Sequence, residues 1–240
     1  MLRVHSIETL GTQEGPGIRL LIFLQGCNIR CLYCHNPDAL IIGEGKEYST
    51  DKLVNMAIKQ KPYFGKNGGV TASGGEPLVQ REGLTELFIE LKKNMIKTAI
   101  ETNATILDEK TKELLSYTDI LLLDLKHIDQ VWMKRLTGFA SDMPLKMADY
   151  REKTKKEFWL RYVLVPGFTD QEEFLEKTAK HFKKYKYLKR VEILPYHTLG
   201  IEKYHKLGWE YKLNVKPPTD VEKNKAKKIF EKYLKNVFVR

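Results

Sequence analysis

Ile18-Arg19-Leu20-Leu21-Ile22-Phe23-Leu24-Gln25 runs directly into Gly26-Cys27-Asn28-Ile29-Arg30-Cys31-Leu32-Tyr33-Cys34, and this junction sets the architecture. The first eight residues are almost continuously apolar rather than alternating, the pattern of a strand covered on both faces in a parallel sheet. Parallel strands need long crossovers, and the sequence beyond the cysteines supplies them. A helix is expected over residues 51–61 with Leu53, Met56 and Ala57 inward, then a strand over 70–73. The next helix carries Leu84, Leu87, Phe88 and Leu91 on one face, at helical spacing. A strand over 97–102, a helix over 108–116 and a strand over 119–126, built on Ile120-Leu121-Leu122-Leu123, continue the alternation. Two short helices over 128–136 and 144–153 lead to a strand over 158–165. A long helix over 169–186, opened by a capping box of Thr169 with Glu172, precedes a strand over 188–194. The last helix, with a Thr219/Glu222 box, runs from 219 to about 236.

Strands that alternate with helices predict a parallel α/β fold with right-handed crossovers. A closed barrel takes eight such units in typically about 250 residues. The six units here therefore read as a partial, open (β/α)6 TIM-like barrel with N-terminal and C-terminal extensions; a flat doubly wound sheet is the alternative the pattern leaves open. No repeat, low-complexity tract or linker divides the chain, so residues 1–240 are expected to form one domain.

An apolar content of 42% is enough for a sizeable core. The run Leu20 to Leu24 is far too short to cross a bilayer, and Met1 to Glu8 lacks the apolar centre of a signal peptide. With thiols grouped as ligands, a reducing, cytoplasmic setting is expected. The net charge of +10 comes largely from lysines spread over helices, among them Lys183, Lys184, Lys186, Lys223, Lys225, Lys227, Lys228, Lys232 and Lys235. Solvated helix faces explain these first, steering of an acidic protein partner second, and nucleic acid last.

All three cysteines lie in one C-x3-C-x2-C segment, and no fourth exists to complete a tetrathiolate site. A cubane iron–sulfur cluster normally takes four thiolates, so three leave one iron open to another ligand. Three plainer readings compete, of which inert buried cysteines would be expected to scatter along the chain, and these do not. A Cys3His zinc site would use His35, but adjacent residues make awkward corners of one tetrahedron; with the basic charge it would suggest a zinc-containing nucleic-acid-binding protein. A Cys31/Cys34 dithiol pair leaves Cys27 without a role.

Further polar motifs fall at carboxyl ends of the expected strands, where a barrel enzyme carries its chemistry. Ser73-Gly74-Gly75-Glu76-Pro77 follows the second strand: its glycines permit close backbone approach, and Glu76 offers an acceptor for an ammonium. Glu101-Thr102-Asn103 ends the third strand and Pro195-Tyr196-His197 follows the sixth. Asp124-Leu125-Lys126 ends the fourth, with its carboxylate and ammonium two residues apart and so on one side. Burying both is costly unless they pair or hold a polar ligand.

Together with Gly11 to Arg19, Trp159 to Gly167, Glu210 to Leu213 and Val215 to Pro218, these segments resemble, in order and nearly end to end, the glycyl-radical-enzyme activases of the radical SAM (S-adenosylmethionine) superfamily. The resemblance implies a [4Fe–4S] cluster on Cys27, Cys31 and Cys34 whose open iron binds SAM, and cleavage of SAM to a 5′-deoxyadenosyl radical. It implies that Tyr33, Cys34, His35, Gly75, Glu76, Asp124, Leu125, Lys126 and His197 line SAM. Glu101, Thr102 and Asp124 correspond to a monovalent-cation site, and Glu14 and Arg19 to a peptide-binding segment. Glu101 and Glu14 stand where the family commonly has aspartate, one methylene shorter. The implied substrate is a glycine on a loop of pyruvate formate-lyase, the branch favoured by the absence of the extra cysteine-rich insertion of some other activases, with another glycyl radical enzyme as the alternative. The implied electron donor is reduced flavodoxin or ferredoxin, and a monomer is expected, with no membrane partner.

Overall fold

The computed structural model describes residues 1–240. Its strands are β1 (Leu2–Gly11), β2 (Arg19–Leu24), β3 (Lys46–Tyr48), β4 (Gly69–Gly74), β5 (Thr98–Thr102), β6 (Ile120–Asp124), β7 (Phe158–Leu164), β8 (Leu188–Pro195) and β9 (Val237–Val239). Its helices are α1 (Thr50–Gln60), α2 (Arg81–Lys93), α3 (Glu109–Ser116), α4 (Gln130–Thr137), α5 (Met143–Lys153), α6 (Glu172–Phe182), α7 (Ile201–Lys206) and α8 (Asp220–Glu231). The strands hydrogen-bond in the order β3-β1-β2-β4-β5-β6-β7-β8-β9, with β3 and β9 at the edges, so the sheet does not close on itself. Pairing is parallel for β2/β4, β4/β5, β7/β8 and β8/β9, while β1 is antiparallel to β2 and β3. The fold is α/β and mostly parallel, in keeping with an open, partial (β/α)6 barrel extended by β1, β3 and β9.

Each of the six strands read from the sequence is present, displaced by no more than two residues at either end. The chain resolves into two compact units. In the first (Met1–Asn28, Asp38–Thr102 and Ile106–Leu122), Leu20, Ile22, Val70, Ala72, Ala99 and Ile100 are buried, as are Leu84, Leu87, Phe88 and Leu91 of α2. Along α1, Val54 is buried beside Leu53 and Ala57, whereas Met56 is only half-buried. In the second unit (Ile29–Pro37, Asn103–Thr105 and Leu123–Arg240), Leu160, Tyr162, Val191 and Ile193 are buried with Leu175 and Phe182 of α6 and Ile229 and Phe230 of α8. The rings of Tyr162 and Phe230 stand 5.5 Å apart, within the range in which aromatic pairs attract.

The first expected capping box is absent, and the reason is local. Helix α6 begins at Glu172 with Gln171 at its N-cap, and it ends at Phe182 rather than 186. Thr169 is fully buried instead, its hydroxyl donating to Val163 O (2.7 Å) and accepting from Val165 N (2.7 Å). One backbone group in β7 and one just past its end outcompete the helix for one threonine. The second box, Thr219 with Glu222, is formed. The last helix stops at Glu231, and Asn236, at φ +57°, turns the chain into β9. No helix is long and apolar enough to cross a membrane.

These two threonines should behave differently. Thr219→Ala removes an exposed cap and should cost about 1 kcal/mol. Thr169→Val keeps the shape but strands a buried N–H, and should cost roughly 1–3 kcal/mol. Urea unfolding of both variants checks the order; equal losses would place Thr169 in a capping role after all.

Candidate active site

The cysteine segment leaves β2 at Gly26, whose φ of +95° turns the chain sharply. Gly26 N donates to Ala39 O (2.8 Å) and Cys27 N to Leu40 O (3.1 Å), so the start of the segment is held by the residues that follow it. Further along, Arg30 N donates to Thr137 O and Leu32 N to Leu136 O, both 2.9 Å, which straps the middle to the end of α4. Cys31 and Leu32 pack against a cluster of Tyr33, Leu136, Val165, Tyr196 and Leu213. None of the three cysteines forms a disulfide; Cys27 is buried, and Cys31 and Cys34 are half-buried.

The turn after β4 is built by the absence of side chains. A Cβ at residue 74 would fall 2.4 Å from Leu24 N, and one at residue 75 would fall 2.2 Å from Gly26 O. In that space Gly75 N donates to Leu24 O and Glu76 N to Gly26 O, each 2.8 Å. The glycines thus admit the protein's own backbone, bracing this turn against the one that carries Cys27. Glu76 is fully buried; its Oε1 accepts from Leu78 N (3.0 Å) and from Thr102 Oγ1 (2.6 Å). Ser73 Oγ donates to Glu101 Oε2 (2.7 Å), a second tie between the ends of β4 and β5. Of the residues expected at a cation site, Glu101 and Thr102 are thus both engaged with β4 and its turn. Each hydrogen bond to a charged group of this kind contributes about 1.5–3 kcal/mol.

At the end of β6, the Lys126 ammonium pairs with Asp124 Oδ2, as their spacing requires. Lys126 Nζ also lies 5.5 Å from the centroid of the buried Tyr33 ring. Burial alone would lower the Lys126 pKa, but the negative charge of Asp124 outweighs it, and the net shift is well upward. The ammonium therefore stays charged. Burial pushes the Tyr33 phenol well upward, so it stays neutral. Asp124 Oδ1 is buried and has no hydrogen-bond partner. Such an atom is expensive unless a ligand completes it.

His35 and His197 are both exposed, their rings edge to face at 5.6 Å. Arg19 occupies a different setting from these groups. It is fully buried, donating to Thr71 Oγ1 (2.5 Å), Pro16 O (3.1 Å), Asn67 O (3.2 Å) and Val70 O (2.8 Å). Burial lowers its pKa to about 10, so it remains a cation at neutral pH. Thr71 Oγ1 donates in turn to Glu14 O (2.7 Å), and the pair of residues expected to bind peptide is tied through that threonine.

Other contributors carried no role in the sequence reading. Tyr196 and Tyr211 join hydroxyls at 2.8 Å, and Tyr204 packs on Tyr211 with ring centroids 5.0 Å apart. Burial, then the nearby Cys34 and Cys31 charges, push the Tyr204 phenol upward. Glu192 is fully buried and pairs with Arg161 (3.0 Å), Arg190 (2.8 Å) and Arg240 (2.6 Å). A strand-interior glutamate between hydrophobic neighbours was the available signal for that network. No three His, Cys, Asp or Glu side chains stand close enough to hold a single metal ion, as a Cys3His zinc centre would require.

A family profile described as the Radical SAM superfamily matches residues 21–179. The chain belongs to the radical SAM superfamily. Within it, the chain is 45% identical over 226 residues to the pyruvate formate-lyase-activating enzyme of Staphylococcus epidermidis, covering 90% of each chain. It is 43% identical to that of Staphylococcus aureus (strain USA300), with the same coverage. Among solved structures, a domain of pyruvate-formate lyase-activating enzyme from Bacteroides vulgatus superposes with a TM-score of 0.61 at 21% identity, covering 72% of this chain and 99% of that one. Streptococcus suis SuiB bound to S-adenosylmethionine superposes at 0.71 and 19% identity, covering 90% of this chain and 48% of that one. These two structures bear on the radical SAM fold. The sequence relatives place the chain with the activating enzymes, as a radical SAM oxidoreductase.

Gly75→Ala tests the backbone bracing directly. Its Cβ meets backbone that cannot rotate away, so the turns after β2 and β4 should separate; overpacking of this kind costs typically about 1–3 kcal/mol. The expected result is a lower melting temperature together with faster hydrogen exchange at Gly75 and Glu76 amides. Unchanged protection at both would remove the bracing from the account.

Proposed function

We propose that this chain activates pyruvate formate-lyase by converting one of its glycines to a glycyl radical. The observation that carries the reading is the union of a three-cysteine C-x3-C-x2-C segment, none of its thiols in a disulfide, with 43–45% identity over 90% of the chain to pyruvate formate-lyase-activating enzymes. The donor set fits a [4Fe–4S] cluster held by Cys27, Cys31 and Cys34 with one iron open, and the unpartnered Asp124 Oδ1 fits a polar ligand such as SAM. When bound, the cluster would supply one electron for reductive cleavage of SAM to methionine, and the adenosyl part would take one hydrogen atom from the glycine Cα, ending as 5′-deoxyadenosine.

The protein's own residues bind and orient. Lys126 offers a fixed positive charge to a carboxylate, and Asp124 Oδ1 is available to accept a hydrogen bond from a ligand ammonium or hydroxyl. Tyr33, Cys34, His35, Gly75, Glu76, Leu125 and His197 complete the SAM surface. Glu76 does so through the backbone of its turn, since its carboxylate already holds Leu78 and Thr102. A monovalent cation beside Glu101, Thr102 and Asp124 belongs to the same proposal. Glu14 and Arg19 support the peptide segment, Arg19 by holding the loop from inside. The 240 residues act as one domain and as a monomer in the cytoplasm, with reduced flavodoxin or ferredoxin as the donor; the basic charge favours such acidic carriers.

The test is anaerobic reconstitution with iron and sulfide, then addition of SAM, a low-potential reductant and pyruvate formate-lyase. A glycyl doublet in the electron paramagnetic resonance spectrum, matched by 5′-deoxyadenosine, is expected, and Cys31→Ser should abolish both. SAM cleavage without a doublet would reject the partner; neither product from an intact cluster would reject the activity.

A further inference from the structure

We infer that α7 is a clamp on the turn of the third cysteine: Gly200 and Lys203 hold Cys34-His35-Asn36 in the shape that presents the Cys34 thiol. The inference rests on the proposed function only in naming what the thiol is presented to.

Gly200 is the seat of the clamp. Its backbone angles, φ −75° and ψ −20°, are ordinary right-handed helix, open to any residue. Glycine is required here by space alone. A Cβ would stand 2.6 Å from His35 Cα, 3.0 Å from Cys34 O and 3.3 Å from His35 C. All three are backbone atoms of the cysteine turn, and none can swing aside as a side chain would. A larger residue at 200 therefore moves the turn itself, or moves away from it.

Lys203 is the second jaw. One helical turn on from Gly200, its Nζ donates to Asn36 Oδ1 at 2.8 Å. The same face of the helix is anchored by buried Tyr204, whose ring meets Tyr211 at 5.0 Å, and Tyr211 bonds to Tyr196 at 2.8 Å. Tyr196 belongs to the apolar cluster on which Cys31 and Leu32 pack. The anchors of the clamp and of the middle cysteine are thus one packed group. Six residues with no side-chain cap would not hold a helix alone, so α7 owes its order to these contacts. Within the turn it grips, Cys34 N donates to Cys31 O (3.1 Å).

The experiment uses the full-length apoprotein and iodoacetamide, with each cysteine read by peptide mass spectrometry. Gly200→Ala should raise Cys34 alkylation several-fold and leave buried Cys27 unchanged. Lys203→Met should raise it less, and Lys203→Arg should match the parent. Circular dichroism and the melting temperature report whether the variants fold. After reconstitution, iron and sulfide per chain should fall by more than half in Gly200→Ala. Unchanged Cys34 alkylation in both Gly200→Ala and Lys203→Met overturns the clamp. So does a parallel rise at all three cysteines, which would mean general loosening, and so does full iron content in Gly200→Ala. A parent protein that takes up no iron, with the Cys34-selective effect intact, would remove the cluster and keep the clamp.

Discussion

The contact on which the site depends is one in which side chains take no part. Leu24 and Gly74 are register partners at the ends of parallel strands β2 and β4, so the chain leaves the sheet at both points side by side. Parallel strands always place their carboxyl ends together, which is why chemistry collects there. Here the approach is closer than usual, because Gly74 and Gly75 leave nothing between the two turns. Backbone bonds fill the gap, from Gly75 to Leu24 and from Glu76 to Gly26, and the same turn hands on to Cys27. The buried Glu76 carboxylate then extends the brace to Thr102 on β5. Position is thus transmitted across three strands by groups whose geometry is fixed by the backbone.

Buried charge separates support from function. Arg19 and Glu192 are both essentially inaccessible, and each is surrounded by partners: four acceptors for the guanidinium, three arginines for the carboxylate. Burying an ion costs several kcal/mol, and such saturation is what makes it tolerable. Asp124 is different. One oxygen holds Lys126, while the other is buried and empty-handed. Pairing with Lys126 accounts for one carboxylate oxygen and leaves the hydrogen-bonding capacity of the other unmet.

Much of this was legible in the sequence because it rests on short-range patterns. The apolar runs of β2, β6 and β7 announce buried parallel strands, and the spacing of Asp124 and Lys126 puts both on one side of the chain. What escaped depends on contacts between segments far apart in the chain. β1 mixes buried Leu2 and Val4 with exposed polar residues, and the three residues of β3 and of β9 carry too little pattern to be read. The T-x-x-E signature occurs at Thr169 and at Thr219, yet only the second caps a helix, since the first is claimed by the end of β7. Gly200 gives no warning either: its dihedral angles are commonplace, and only His35, 165 positions earlier, explains it.

The remaining property, a net charge of +10, follows a separate logic. Many helix lysines are paired at the surface, as Lys180 with Glu176, Lys225 with Glu172 and Lys227 with Glu231. Exposed pairs of this kind are worth at most about 1 kcal/mol each, so they do little to hold the fold. They also leave the excess charge unchanged, and that excess sets a field reaching about 8–10 Å at physiological salt. Such a field speeds encounter with an acidic protein and fixes no orientation, which suits partners that must arrive and leave. Local geometry and net charge therefore follow different physics in this chain: backbone contact at distances of 2.8–3.1 Å braces the turns after β2 and β4, while the surface pairs and the excess charge contribute little to that bracing.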